Sequence, residues 1–187
     1  MPKTQLFDKN EVQRKALNLF WTKGYEATSL SDLTAELGIG KGSFYNSFGS
    51  KRELFETCLS IAFEGGANMI KQLLNNESDP IVGIRRYLEM YSEGLLDDPN
   101  SRGCLIVNTS TELAHDKGIE SLLLENNQNM KSIIVDYLSN GPLSDRSEVI
   151  ADSMLIYSSG VAVLSKLIKD RSRFNASLDQ FMQSIEG

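Results

Sequence analysis

Apolar residues recur along this chain at steps of three and four, the period of a helix with one buried face. Val12, Ala16, Leu17, Leu19 and Phe20 make such a face over 10–23, where Asp8 or Asn10 can cap the start and Gly24 the end. Leu30, Leu33 and Leu37 make the next, over about 31–37, with capping hydroxyls at Thr28, Ser29 and Ser31 and a stop at Gly38. A short third helix is predicted over 41–47, with Gly40 at its N-cap and Phe44 and Phe48 pointing inward four residues apart. Only Gly38, Ile39 and Gly40 separate the second helix from the third, which is the short glycine-containing connection of a helix-turn-helix.

Ser50, with Glu53 three residues on, opens a fourth helix that Leu54, Phe55, Leu59, Ile61, Ala62 and Phe63 carry toward 74. Polar breaks at NNESDP (75–80), DDPNSRG (97–103) and SNGPLSD (139–145) divide further helices predicted over 80–96, 104–114, 119–138, 146–170 and 176–185. Runs alternating at period two are missing, so no strand is predicted. The expected fold class is all-α, about nine helices in all. A three-helix N-terminal domain over 1–50, with its helix-turn-helix at about 29–48, precedes a larger helical domain over 51–187.

Composition narrows the function classes. The 187 residues are 41% hydrophobic and 24% charged, as in a globular chain with a real core. No apolar run comes near the ~20 residues that span a bilayer, and MPKTQLFDKNEVQRK lacks the apolar stretch of a signal peptide. A cytoplasmic protein without a membrane partner is expected. Cys58 and Cys104 match no zinc spacing and His115 is the sole histidine, so a metal site or a His-dependent triad is poorly supplied. The net charge of −6 is unevenly spread. Residues 1–52 hold eight Lys or Arg against five Asp or Glu, and the remainder eleven against twenty. That split fits an N-terminal part that meets a polyanion, although ordinary scatter of charge also produces modest imbalances.

The stretch TSLSDLTAELGIGKGSFYNSFGSKREL, residues 28–54, resembles the DNA-binding signature of the TetR family of bacterial transcriptional regulators. The matching residues are Thr28, Leu30, Asp32, Leu33, Gly38, Ile39, Lys41, Gly42, Phe44, Tyr45, Phe48, Lys51 and Leu54. ALNLFWTKGYEATSL (16–30) fits the end of the family's first helix and the turn after it. Gly40 stands where the family usually has a serine, and Asn46-Ser47 replaces a frequent His/Tyr pair. The second departure lies on the recognition helix and bears on which operator is read. A fainter likeness lies at GCLIVN (103–108), a run found in some subgroups, certain members of which sense electrophiles or aldehydes through a cysteine.

The resemblance implies a repressor that grips a pseudo-palindromic operator in double-stranded DNA as a homodimer, and that an unknown small-molecule effector, or modification of Cys104, releases. It implies no cofactor, no metal and no catalytic residue. Lys41 can reach a phosphate or a guanine edge, Asn46 an adenine and Tyr45 a phosphate, while Gly42 and Ser43 let the helix lie close to the groove. Thr28 and Ser29 at the start of the second helix, and Lys51 at the start of the fourth, are placed for phosphates. Met154, Val161, Leu164, Leu178, Phe181, Met182 and Ile185 are expected at a dimer interface, the alternative being plain intramolecular core.

Tyr87, Met90, Tyr91, Cys104, Tyr137 and Tyr157 are candidates for an effector pocket, and again each could be core. Arg102 and a helix N-terminus near Cys104 favour a thiolate, and Lys166 could approach it; the bland alternative is a small buried hydrophobe. A cysteine-dependent enzyme using Cys104 and His115 is the competing function. The two are eleven residues apart, ~16 Å along a helix, and no third orienting group is evident.

Overall fold

The computed structural model describes residues 8–186. Among these the chain forms nine α-helices and one 3-10 turn, with no strand. The helices are α1 (Lys9–Lys23), α2 (Leu30–Leu37), α3 (Lys41–Phe48), α4 (Lys51–Asn75), α5 (Pro80–Leu96), α6 (Leu105–Glu112), α7 (Lys117–Leu138), α8 (Ser147–Leu164) and α9 (Arg171–Glu186). The all-α expectation and the helix count hold.

The caps explain most of the boundaries. Asp8 accepts from the Asn10 N–H at 2.9 Å and opens α1. Ser29 opens α2 through a full capping box with Asp32, and Gly38, at φ +66°, closes it in the left-handed region that favours glycine. Gly40 starts α3 with backbone alone. Ser50, Asp79 and Asp116 cap α4, α5 and α7 with their side chains. Asp116 accepts from Gly118 and Ile119, which is why α7 begins ahead of the predicted 119.

The last two helices depart from the prediction. Leu164, Leu167 and Ile168 continue the apolar period, so a helix to 170 was expected. The buried Ser165 hydroxyl instead donates to the Ala162 carbonyl at 3.1 Å, and a tight turn from Lys166 to Val163 ends α8 at Leu164. Asp170 then accepts from the Ser172 N–H at 3.0 Å and starts α9 five residues before the predicted 176.

Two large apolar cores, and a smaller cluster of Leu95, Val161, Ala162 and Phe174, organise the molecule. One gathers Val12, Ala16, Phe20, Leu33, Leu37, Phe44 and Phe48 with Leu54, Phe55, Cys58 and Leu59 of α4, and takes in Leu105, Leu113 and Ile119 from α6 and α7. The N-terminal headpiece therefore shares its core with three helices that follow it. The second core is built from α4, α5, α7, α8 and α9 around Ile70, Ile84, Ile134, Met154 and Met182.

Ser144–Leu164, the 3-10 turn and α8 together, is long and apolar enough to cross a membrane by length and composition, with mean hydropathy 1.3, contrary to the expectation of no such run. Here one side of it packs in the second core, and the other side is exposed.

Candidate nucleic-acid interface and ligand cavity

α3 is held from behind. Phe44 and Phe48 are buried, their rings 5.7 Å apart, while Lys41, Gly42, Ser43, Tyr45 and Asn46 stand together on the outer side. Tyr45 is 53% exposed and rests edge-on against Phe44. A Cβ at Gly42 would meet nothing within 4 Å, so that flank of α3 is open. Lys51 is half-buried, its ammonium 4.2 Å over the Tyr25 ring at the headpiece surface. Its neighbour Arg52 turns away and binds Glu56 and Asp116.

The start of α2 requires a correction. Thr28 is 0% exposed, and its hydroxyl donates to the Gly24 carbonyl at 2.6 Å. It locks the α1–α2 turn and has no face toward a ligand. Ser29 is exposed, but its hydroxyl and N–H are both engaged with Asp32. That N–H, the Ser29 hydroxyl and Lys23 together hold the Asp32 carboxyl far below the usual range. The donors left open at this helix end are the Leu30 and Ser31 N–H groups, which no helix carbonyl can reach.

A cavity of about 420 Å³ lies beside the headpiece. Leu17 and Trp21 of α1, Phe63 and Met69 of α4, Tyr87 and Tyr91 of α5, Cys104 to Val107, Asn126 and Met130 of α7, and Leu155 and Ser158 of α8 line it. Of the predicted pocket residues, Tyr87, Tyr91 and Cys104 meet there. The other three do not. Met90 faces solvent, the Tyr137 hydroxyl donates to the Glu77 carbonyl near the start of α5, and Tyr157 stacks on Phe181 between α8 and α9. Trp21 comes from the first helix, and Asn126 and Ser158 are neither aromatic nor sulfur-bearing, so the aromatic and sulfur pattern of the body does not point to them.

Cys104 is the N-cap residue of α6 and is half-buried beside Tyr91. Burial, with the thiol beside it, pushes the Tyr91 phenol well above its ordinary range. Arg102 is committed elsewhere, to Asp98, to Asn18 and to the face of Trp21 at 4.1 Å. Lys166 passes over Gly103 and ends on Asn108 Oδ1 at 3.1 Å. Neither cation serves the thiol as expected. Cys104 precedes α6 and the exposed His115 follows it, so an eight-residue helix separates them.

α6 is tied to the headpiece at both ends. Before its first turn, the Trp21 indole N–H donates to the Gly103 carbonyl at 3.0 Å. In its last, Glu112 accepts the Tyr25 and Glu26 N–H groups at 3.0 and 2.9 Å.

The expected dimer residues also need correcting. Met154, Val161, Leu178, Met182 and Ile185 are buried within the chain, mostly against α5. Phe181 is half-buried on Tyr157, and only Leu164 of the set is exposed. α8 and the turn after it instead show a different apolar stripe: Val149, Ile156 at 73% exposure, Val163 and Leu167 at 80%, with Ser159 and Gly160 between.

A helix-turn-helix headpiece, its third helix facing outward, thus stands on a larger helical body that holds a cavity. Residues 14–58 match the family described as bacterial regulatory proteins, tetR family. The chain is 32% identical over 117 residues to the HTH-type transcriptional regulator YezE of Bacillus subtilis. It is 30% identical over 115 residues to the HTH-type transcriptional repressor ComR of Escherichia coli. These matches cover 62% and 61% of this chain, and 60% and 55% of the relatives' own lengths. A regulator encoded in the lacX 3' region of Lactococcus lactis is 25% identical over 185 residues, 95% of this chain and 93% of its own. Among solved structures, the TetR family regulator CifR, a cysteine mutant in complex with 26-bp operator DNA, superposes with a TM-score of 0.85 at 22% identity, covering 97% of this chain and 98% of that one. The headpiece, residues 14–58, thus carries the TetR-family signature, and the chain as a whole has the fold of the TetR-family structure it superposes on.

Proposed function

We propose that the chain is a cytoplasmic transcriptional repressor that binds a pseudo-palindromic operator in double-stranded DNA as a homodimer. Occupation of the cavity by a small molecule, or modification of Cys104, releases it. The observation that carries this reading is α3, which offers Lys41, Ser43, Tyr45 and Asn46 on one exposed face while two phenylalanines fix its back. A B-DNA major groove admits one such helix. Lys41 and Asn46 read base edges or phosphate, and Tyr45, Lys51 and the start of α2 hold the backbone. Residues 1–50 act as the reader and 51–187 as the sensing and dimerising body.

One headpiece neutralises few phosphates, so two act together, about 34–36 Å apart on successive turns. The exposed stripe of α8 is the surface that a second copy covers, because Val149, Ile156, Val163 and Leu167 would otherwise face water. Release follows from linkage: the effector binds best to an arrangement whose headpieces no longer match the groove spacing. α6 is the physical route, since its first turn walls the cavity and both its ends hold the headpiece. The separation of Cys104 from His115 by α6 weighs against the pairing that the cysteine-enzyme alternative needs.

The test is a gel shift on the DNA upstream of the chain's own gene. Salt-sensitive, sequence-selective binding supports the reading. Lys41→Ala weakens it and lowers the salt slope by about one. Equal binding by the wild type, Lys41→Ala and Tyr45→Ala overturns the assignment of α3.

A further inference from the structure

The cavity walls carry no charged side chain among the described residues, although the chain is 24% charged. The lining is chiefly aromatic and aliphatic, with Trp21, Phe63, Tyr87, Tyr91, Met69 and Met130 its largest members. An ion seated there would lose its hydration and meet no countercharge, a penalty that neutral ligands avoid. Asn126, Asn127, Ser158 and Ser159 interrupt the apolar surface, and two of them are buried. Asn126 is 9% exposed and Ser158 6%, and each keeps a buried oxygen with no hydrogen-bond partner. The Tyr87 phenol lies beside Ser158 without closing a bond of good geometry. Buried polar atoms in folded proteins are nearly always paired, so two orphans among the residues lining one cavity mark positions that a ligand completes. An unpaired amide oxygen requires a donor, and a serine hydroxyl accepts either kind of partner.

α4 offers bare backbone to the same cavity. Gly65 and Gly66 sit in the middle of the 25-residue α4, where each weakens the helix by roughly 1 kcal/mol relative to alanine. A Cβ on either would meet nothing within 4 Å, so no packing within the chain demands their smallness. They leave room for a ligand to lie against the helix backbone.

We propose that the cavity takes an uncharged, mainly apolar small molecule that carries an N–H or O–H donor, with Asn126 and Ser158 as its polar contacts and the Gly65–Gly66 backbone as its floor. This rests on reading the cavity as the effector site.

Three naphthalene probes of one shape separate the requirements: naphthalene, 2-naphthol and 2-naphthoate, titrated calorimetrically into the full chain at neutral pH. 2-Naphthol is expected to bind roughly tenfold more tightly than naphthalene, the worth of one buried hydrogen bond, with the anion weakest. Asn126→Leu keeps the size of the side chain and is expected to abolish the preference for naphthol while leaving naphthalene bound. Ser158→Ala, a smaller change, is expected to reduce it. Tightest binding of 2-naphthoate, equal binding of naphthol and naphthalene to the wild type, or no binding of any probe at millimolar concentration overturns the proposal. The rank order on the wild type decides even if a variant does not fold. The gel shift is read separately, so a protein that holds operator DNA but prefers the anion loses only this inference.

Discussion

Glu112, the last residue of α6, accepts the backbone N–H of Tyr25 at 3.0 Å. The same carboxylate takes the Glu26 N–H, and it fills the space where a Cβ on Gly24 would lie, 2.8 Å from Oε1. Gly24 also sits at φ +85°, where a side chain is strained, and one there would displace the Glu112 carboxylate. The α1–α2 turn thus hangs on a helix whose other end walls the cavity. Glu112→Ala leaves two N–H groups to water and is expected to lower stability by about 1 kcal/mol in urea titrations. Operator binding is expected to weaken several-fold with an unchanged salt slope, because no phosphate contact is lost. A fall in slope like that of Lys41→Ala would place Glu112 at the DNA and not behind it.

Asp116 joins α4 to the start of α7 by pairing with Arg52. The guanidinium's hydrogen bonds, aided by the Ile119 N–H, bring its carboxyl down to about 2. A carboxyl whose pKa falls on folding stabilises the folded state in full above its ordinary value near 3.8, and loses that contribution as the pH drops through about 2. Both side chains are about one-third exposed, so the effect is modest. Asp116→Asn keeps a capping side chain and removes only the charge. The variant is expected to be less stable than the wild type at pH 7, with the gap closing between about pH 4 and pH 2 in denaturant titrations. A constant gap would show that the pair contributes nothing through ionisation.

The headpiece was legible because its signals are local. Gly38, Gly40, Ser29 and the Phe44–Phe48 pair act within a few residues of themselves, and each falls where the spacing puts it. Thr28 was misread because a hydroxyl at a helix start looks the same whether it faces solvent or a carbonyl four residues back. The C-terminal helices failed for a different reason. α8 is apolar on two sides, and periodicity alone does not say which side meets α5 and which is left bare. Met154 and Ile156 stand two residues apart on opposite sides, one fully buried and the other mostly exposed. The cavity draws on six helices at long separation, so Trp21 could not be joined to Cys104 or Ser158 from spacing.

The two cysteines are expected to separate cleanly by chemistry. Cys58 is buried in the first core, and burial pushes its thiol up to about 12. Its Sγ donates weakly to the Gln13 carbonyl, at 3.8 Å. Cys104 is half-buried on the cavity wall, within reach of whatever enters. Iodoacetamide at pH 8 is expected to modify one thiol per native chain, mapped by mass spectrometry to Cys104, and both only in denaturant. Labelling of Cys58 in the native protein would mean that the first core opens far more readily than its packing implies.

Ile156 and Met154 allow the two faces of α8 to be tested against each other. Ile156 projects from the chain with Val149, Val163 and Leu167 in line, and nothing in its own fold covers it. Ile156→Glu places a charge at the centre of the proposed seam, where a second copy would have to bury it unpaired. The variant is expected to sediment as a folded monomer and to lose operator affinity, since each headpiece then binds alone. Met154 is fully buried against its own chain. Met154→Ala is expected to lower stability by about 2–5 kcal/mol through the cavity it leaves, with the dimer preserved at concentrations where the fold survives. Sedimentation velocity and urea titration on the same two variants decide the matter. A monomer from Met154→Ala together with a dimer from Ile156→Glu would move the interface off the exposed stripe and back to the residues that spacing first suggested.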